Sequence, residues 1–345
     1  MITADGCKGR VARFLDRLRP AAPILLGDPL HLRYFANAYW DPFSLGADFG
    51  GQLQIDPDGR TTLIYDSRSP KSLDAAFADE KTVSKWYDGQ SPGRGSRRSI
   101  TPNAPPTPEF DAIVDELRRA KDADELAMLR HCMRVTEAGQ AWARAHVQPG
   151  MTELDVYAGI LAECTKAAGH PVIVYGDFAV SPGSAKRGGM ATDHIIRAGE
   201  TLILDFSVVL QGYRSDFTNT LVVGAEPTDD QRQLFDWCVA AMAAGEAELK
   251  AGAQCQTVYD AVRGVFETVG VADKFPHHAG HGLGLSHPES SFFVTDSTET
   301  LVEGDVVTLE PGLYIDGIGG IRIEHNYAIT AAGFERLSNH AIALN

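Results

Sequence analysis

The stretch Thr201–Thr330 places acidic side chains where a folded chain can hold them only with a partner. It contains LILDFSVVLQGYRSDFTNTLVVG, then HHAGHGLGLSHPE, then VVTLEPGLY, then GGIRIEHNYAIT. Each segment sets one or two metal-capable groups in or beside an apolar, strand-like run: Asp205, Asp216, His281, Glu310 and Glu324. Strands of this kind bury a face, and a buried carboxylate without a counter-charge is costly. Four acids and one imidazole on separate strands can share a partner if that partner is a cation.

Asp205 and Asp216 stand eleven residues apart across a turn containing Gly212. A hairpin there lets both carboxylates enter one inward-facing space. Two ionised carboxylates that close repel, and a pair of divalent ions between them removes the conflict. Taken alone, one acid could pair with Arg214 and the other with a helix N-terminus. His281 lies between Gly280 and Gly282, which permit close backbone approach. Alone it could satisfy a loop carbonyl, and Glu310 and Glu324 could be solvent-facing edge residues. Together, four oxygen ligands and one nitrogen suit two divalent ions such as manganese, cobalt, iron or zinc. Two such ions, ~3.5–4 Å apart, can share a hydroxide, polarise a carbonyl and steady an oxyanion. Arg322, two residues before Glu324, is placed to pin an acidic ligand.

Charge and length bound the rest. A chain of 345 residues carries a prior of about two domains. The formal charge of −15 argues against a nucleic-acid partner. No apolar run reaches the ~20 residues that span a bilayer, and MITADGCKGR lacks an apolar targeting core. Cys7, Cys132, Cys164, Cys238 and Cys255 are scattered and odd in number, which suits a reducing cytoplasm better than a disulfide framework.

In order, KGRVARFLDRLRP predicts a short helix over residues 8–20, ended by Pro20. AAPILLGD follows as a strand, PLHLRYFANAYW as a short helix or loop, and GGQLQIDPDGRTTLIYDS as two strands around Pro57-Asp58-Gly59. The Pro/Gly/Ser-rich run from Ser91 to Phe110 is the linker candidate. The stretch from Asp111 to Val147 predicts two helices with a break near Lys121–Asp124. Thr152 and Asp155 form a capping-box pair for the next helix. HPVIVYGDFAV is a strand before a Gly/Ser/Lys/Arg loop, and two further helices separate the Asp205–Asp216 hairpin from the strand-rich end.

DFSVVLQGYRSDFTNTLVVG, HAGHGLGL, TLEPGLY and GGIRIE resemble the creatinase/aminopeptidase (pita-bread) metallopeptidase family, most of all its Xaa-Pro dipeptidase and aminopeptidase branch. The likeness covers nearly the whole chain. It implies an α+β fold: a creatinase-type α/β N-terminal domain over residues 1–108 and a pita-bread metal-binding domain over 109–345. It implies that Asp205 binds one ion, His281 and Glu310 the other, and that Asp216 and Glu324 bridge them. Glu310 would also orient or deprotonate the attacking water. His277 resembles a histidine lining the substrate site, and His287 one that contacts the substrate carbonyl. The family commonly sets the latter seven residues after the metal histidine; here the separation is six. The resemblance further implies a homodimer whose N-terminal loops, here Tyr39 and Trp40, wall the partner's substrate pocket. Tyr39 and Trp40 could equally belong to a local aromatic core.

One position departs from the pattern. The family histidine that helps hold the substrate sits about seventeen residues before the first aspartate, and counting back from Asp205 reaches Gly188. His170 falls too early and His194 too late, while Lys186, Arg187 or His194 could enter from elsewhere or simply face solvent. Three readings follow: a short-peptide hydrolase of the Xaa-Pro type, a related metalloenzyme acting on a non-peptide small molecule, and a non-catalytic metal-stabilised binding protein.

Overall fold

The structure, a computed structural model, describes residues 1–39, 51–66, 71–84 and 108–345. It divides into two compact units: Met1–Arg118 with Asp122–Ala127, and Arg119–Lys121 with Met128–Asn345. The linker candidate lies outside the described residues up to position 107.

In the first unit, α1 spans Ala4–Leu18 and starts four residues before the predicted Lys8. The cause is Thr3, whose side chain accepts from the Gly6 amide as an N-cap. The helix stops before Pro20 because Arg19 turns left-handed, with φ 48°. Then come β1 (Ile24–Leu26), α2 (Pro29–Ala36), β2 (Gly51–Ile55), β3 (Thr61–Asp66), a 3₁₀ turn (Lys71–Ala75) and β4 (Glu80–Ser84). Asp28 caps α2, with Pro29 in its first turn. The sheet order is β1-β2-β3-β4, with only β3 and β4 parallel. Residue 108 opens α3 (Pro108–Leu117), and that helix belongs with the first unit rather than the second. Phe110 lies edge-on to Phe14, and Arg17 reaches Glu116 at 2.9 Å.

The second unit is entered by α4 (Ala123–His146), so the expected helix break falls between Leu117 and Ala123. The capping box of Thr152 and Asp155 opens α5 (Glu153–Ala168) as predicted. After β5 (Ile173–Val180), the hairpin is β6 (Thr201–Leu210) returning through β7 (Tyr213–Arg214) and β8 (Phe217–Val222). The remaining elements are α6 (Asp229–Glu246), α7 (Cys255–Thr268), β9 (Gly280–Gly282), β10 (Glu289–Phe293), β11 (Val306–Leu309), β12 (Gly312–Ile315), β13 (Gly319–Arg322), β14 (His325–Thr330) and β15 (Gly333–Arg336). One sheet has β6 between β5 and the β7/β8 pair, a second runs β10-β9-β11-β14-β15, and β12 pairs with β13 in a third. Cys238, Val262 and Phe266 from α6 and α7 are buried with Leu309, Ile321 and Tyr327 of the strands. Asp205 therefore sits on a strand, and Asp216, Glu310 and Glu324 sit at strand ends, all backed by an apolar core that weakens the screening of their mutual field. Among the described residues, no helix is long and apolar enough to cross a membrane.

Candidate metal centre and substrate cavity

Register explains how the acids meet. Asp205 on β6 faces Asp177 on β5 and Thr218 on β8. Residues directly opposite in antiparallel strands share a sheet face. Asp216 falls in the gap between β7 and β8, where side chains replace ladder bonds. Ser215 Oγ accepts from the Val208 amide at 3.0 Å, Asn326 Oδ1 accepts from the Asp216 amide at 3.2 Å, and Asn326 Nδ2 donates to the Asp216 carbonyl. That interruption turns the Asp216 side chain toward the acids of its neighbours. His281 is the middle residue of β9. Gly280 has φ +153°, and a Cβ there would lie 2.2 Å from the Thr308 carbonyl oxygen, so only glycine lets β9 come this close to β11. Glu310 follows β11 directly, and Glu324 sits between β13 and β14 with its amide on the Thr218 carbonyl at 3.1 Å.

All five predicted ligands converge. Asp205, Asp216 and Glu324 offer oxygens within 4.8 Å of one another, and Asp216, His281 and His287 form a second such group. His281 Nε2 stands 3.5 Å from Asp216 Oδ2 and 3.6 Å from Glu310 Oε1. Its Nδ1 lies 2.9 Å from the Gly282 carbonyl oxygen, a bond that leaves Nε2 as the free lone pair. Thr218 Oγ1 donates to Glu324 Oε2 at 2.7 Å, but Glu324 Oε1 is buried with no hydrogen-bond partner. A carboxylate oxygen orphaned among other carboxylates fits a cation better than any neutral neighbour.

The electrostatics point the same way. Burial, the Asp205 charge and the Asp216 charge hold Glu310 well above the usual carboxylate range. Glu324 is raised well above it by burial and by Asp216, Asp205 and Glu310. Burial pushes Asp205 up to about 6 despite Arg322. Asp216 goes the other way: burial opposes its charge, but His287 and His281 hold it low. Too many carboxylates share too few positive charges, which divalent ions would offset.

Arg322 is buried, its Nη2 donating to Asp205 Oδ2 at 2.6 Å and to Asp177 Oδ2 at 2.5 Å. Its Nη1 donates to the Tyr314 hydroxyl at 2.9 Å. These bonds occupy the guanidinium with protein groups, so Arg322 is a positioning residue in this arrangement. His277 is also engaged at both nitrogens: Nε2 with the Tyr314 hydroxyl at 3.1 Å, Nδ1 with the His278 carbonyl at 2.8 Å. Burial, then Arg322, brings it down to about 3, so it stays neutral. His287 Nε2 reaches Asp216 Oδ2 at 2.6 Å; burial would lower its pKa, but that carboxylate raises it. Tyr39 lies in the first unit, with the Arg33 guanidinium 5.9 Å over its ring, and Trp40 lies outside the described residues.

The site opens into a cavity of about 530 Å³, lined by residues of the second unit. Among its walls are Asp177 and His278, to which the motifs assign no role in the site, and Arg187, one of the three candidate substitutes for the missing histidine. His278 Nδ1 lies 3.4 Å from Glu310 Oε1. Asp177 had a signal in its position on an apolar strand beside a polar loop, but its register with Asp205 is not written in the pattern. Gly188 also lines the cavity, with φ +147°, and a Cβ there would lie 2.0 Å from Asp177 Oδ2. The candidate substitutes His194 and Lys186 turn elsewhere, to Glu200 at 3.0 Å and Glu153 at 3.1 Å.

The family model for metallopeptidase family M24 matches residues 127–331. The chain belongs to this family. Among M24 relatives, the uncharacterized peptidase YqhT of Bacillus subtilis is 32% identical over 222 residues, covering 64% of this chain and 62% of its own. An uncharacterized peptidase of Staphylococcus aureus (strain USA300) is 27% identical over 238 residues, 67% of this chain and 66% of its own. The chain thus spans about two thirds of the length of these relatives. An Xaa-Pro dipeptidase from Bacillus anthracis superposes with a TM-score of 0.78 over 99% of both chains at 24% identity. A prolidase from Pyrococcus furiosus superposes with a TM-score of 0.74 over 96% of this chain and 99% of that one at 23% identity. These likenesses establish the α+β pita-bread fold that the motifs of this M24 chain implied.

Proposed function

We propose that the chain is a dinuclear-metal hydrolase that cleaves short peptides, of the Xaa-Pro dipeptidase or aminopeptidase type. The observation that carries this reading is the convergence of Asp205, Asp216, His281 and Glu310 at the cavity wall, with Glu324 behind them offering an orphaned Oε1 beside Asp205 and Asp216. Family membership and the names of the structural neighbours support the peptide as substrate. Asp205 would hold one ion, His281 and Glu310 the other, and Asp216 and Glu324 would serve both. Bound there, manganese in the first instance, or cobalt, zinc or iron, would acidify a water and polarise the scissile carbonyl.

The chain's own groups supply the rest. Glu310 is held protonated by burial and by the Asp205 and Asp216 charges, and cations offsetting those charges would release its proton, leaving a carboxylate that takes the proton of the attacking water and returns it to the departing amine. His287 faces the cavity with a raised pKa and donates to the carbonyl oxygen as charge builds there. Burial and then Arg322 keep His277 neutral, and the Tyr314 hydroxyl, itself held by Arg322, orients it. Five free, buried cysteines support a reducing compartment such as the cytoplasm. Glycine at position 188 favours a second reading, a related metalloenzyme with a non-peptide substrate.

The test is to strip the protein of metal, reload it with manganese, cobalt, zinc or iron, and assay Xaa-Pro dipeptides beside longer peptides. Turnover that depends on metal and vanishes in Asp216→Asn supports the proposal. Stoichiometric metal uptake without peptide cleavage refutes it in favour of the second reading.

A further inference from the structure

Arg187 lines the cavity, yet its guanidinium makes no hydrogen bond or ion pair with the described residues. Its surroundings are not loose. Ser181 Oγ donates to the Lys186 carbonyl at 2.6 Å, and Lys186 Nζ reaches Glu153 at 3.1 Å. Arg322 Nη1 donates to the Arg187 carbonyl at 3.3 Å, and the Phe178 amide to the Gly189 carbonyl at 2.8 Å. Glu153 is fully buried and also holds Thr192, at 2.6 Å through its hydroxyl and 3.0 Å through its amide. The backbone on both sides of Arg187 is therefore tied down, and the side chain is presented rather than trailing.

The nearby acids have other commitments. Asp177 and Asp205 share Arg322, while Asp216 and Glu324 belong to the metal cluster. The complement to an exposed guanidinium without a partner among the described residues, carried on a fixed backbone at the wall of a small cavity, is an anionic group on the ligand, best a carboxylate met by the planar fork. We propose, resting on the peptidase reading, that Arg187 receives the C-terminal carboxylate of a dipeptide whose scissile carbonyl lies at the metal centre. Reading both ends of so short a ligand makes the protein a dipeptidase and not an aminopeptidase for longer chains. Arg187 adjoins Gly188, the position from which the family histidine would hold substrate, so the arginine takes over that holding from the next residue.

The test uses manganese-reloaded protein of verified metal content with Ala-Pro, its C-terminal carboxamide and Ala-Pro-Ala. Native protein is expected to prefer Ala-Pro over the carboxamide by about tenfold or more in kcat/KM. Arg187→Ala should collapse that ratio toward one, chiefly by raising KM for Ala-Pro about 10- to 100-fold. Arg187→Lys should recover part of the preference. The inference is overturned if native protein cleaves all three alike, or if Arg187→Ala leaves the ratio intact. Calorimetric titration with Ala-Pro and its carboxamide keeps the two proposals apart. Carboxylate-dependent binding that Arg187→Ala abolishes, without turnover, upholds Arg187 and sinks the peptidase reading. Binding indifferent to the carboxylate sinks Arg187 and leaves the peptidase reading standing.

Discussion

Glu324→Gln should change sign with metal. In metal-free protein the Glu324 carboxyl shares its surroundings with Asp205 and Asp216, their oxygens lying within 4.8 Å. At that separation each like-charge pair costs about 3 kcal/mol with an effective dielectric constant of about 20. The group avoids this by holding its proton, which is why it titrates well above an ordinary glutamate. A folded-state pKa above the unfolded value means that the native protein binds the extra proton. The contribution of Glu324 to metal-free stability is then greatest below its unfolded pKa and declines as pH rises from the ordinary carboxylate range toward the folded pKa. Glutamine removes that decline. Its oxygen still accepts from Thr218, and its amide can donate where Oε1 had no partner. In chelator-treated protein the variant should gain over native as pH rises from 5 to 8, up to about 3 kcal/mol. For a unit of this size that is a rise of roughly 6–12 °C in Tm. With metal present the order reverses, because glutamine cannot supply the anionic ligand. The assay is thermal unfolding across that pH range, with chelator and with manganese, beside metal content. If Glu324→Gln lowers Tm equally in both conditions, Glu324 is a structural hydrogen-bonding residue and the repulsion argument fails.

Glu310→Gln should lower kcat for a dipeptide by about 10²- to 10⁴-fold, the usual worth of a general base; a loss under tenfold at unchanged metal content would remove Glu310 from proton transfer. In the first unit, Asp124→Asn should cost about 3 kcal/mol in urea unfolding, because Arg10 is fully buried and Asp124 is its 2.9 Å partner. Burial opposes the Asp124 charge, but Arg10 and Thr3 hold its pKa below the ordinary value. Its contribution is therefore present above the unfolded pKa and lost on acidification, so native and variant curves should converge below about pH 4. Gly159→Ala should destabilise by about 2 kcal/mol through overpacking, since the added Cβ would lie 1.8 Å from the Trp142 ring; an unchanged urea midpoint would show that the tryptophan yields freely.

The five converging positions stand out in the sequence because each is an acid or imidazole set against an apolar, strand-like run, a local conflict with one economical resolution. Helices were legible where caps are local: Thr152 with Asp155 is visible in the sequence, whereas Thr3 before α1 is obscured because the apolar period begins later. Register is a different kind of information. A period of two says that Asp177 and Asp205 each alternate between faces, but not that β5 and β6 bring them opposite. The side-chain bonds that occupy His277 and Arg322 arise from strands far apart in sequence, so residue type suggested chemistry where the fold assigns positioning. Position 188 shows the same limit most sharply. In the sequence it is a histidine lost. In the fold it is a glycine whose missing Cβ leaves room for the Asp177 carboxylate, with Arg322 holding that carboxylate in place. A histidine at 188 would strike Asp177, so the glycine and the aspartate are sterically matched, and the holding of substrate has to be sought from a neighbour at the same wall.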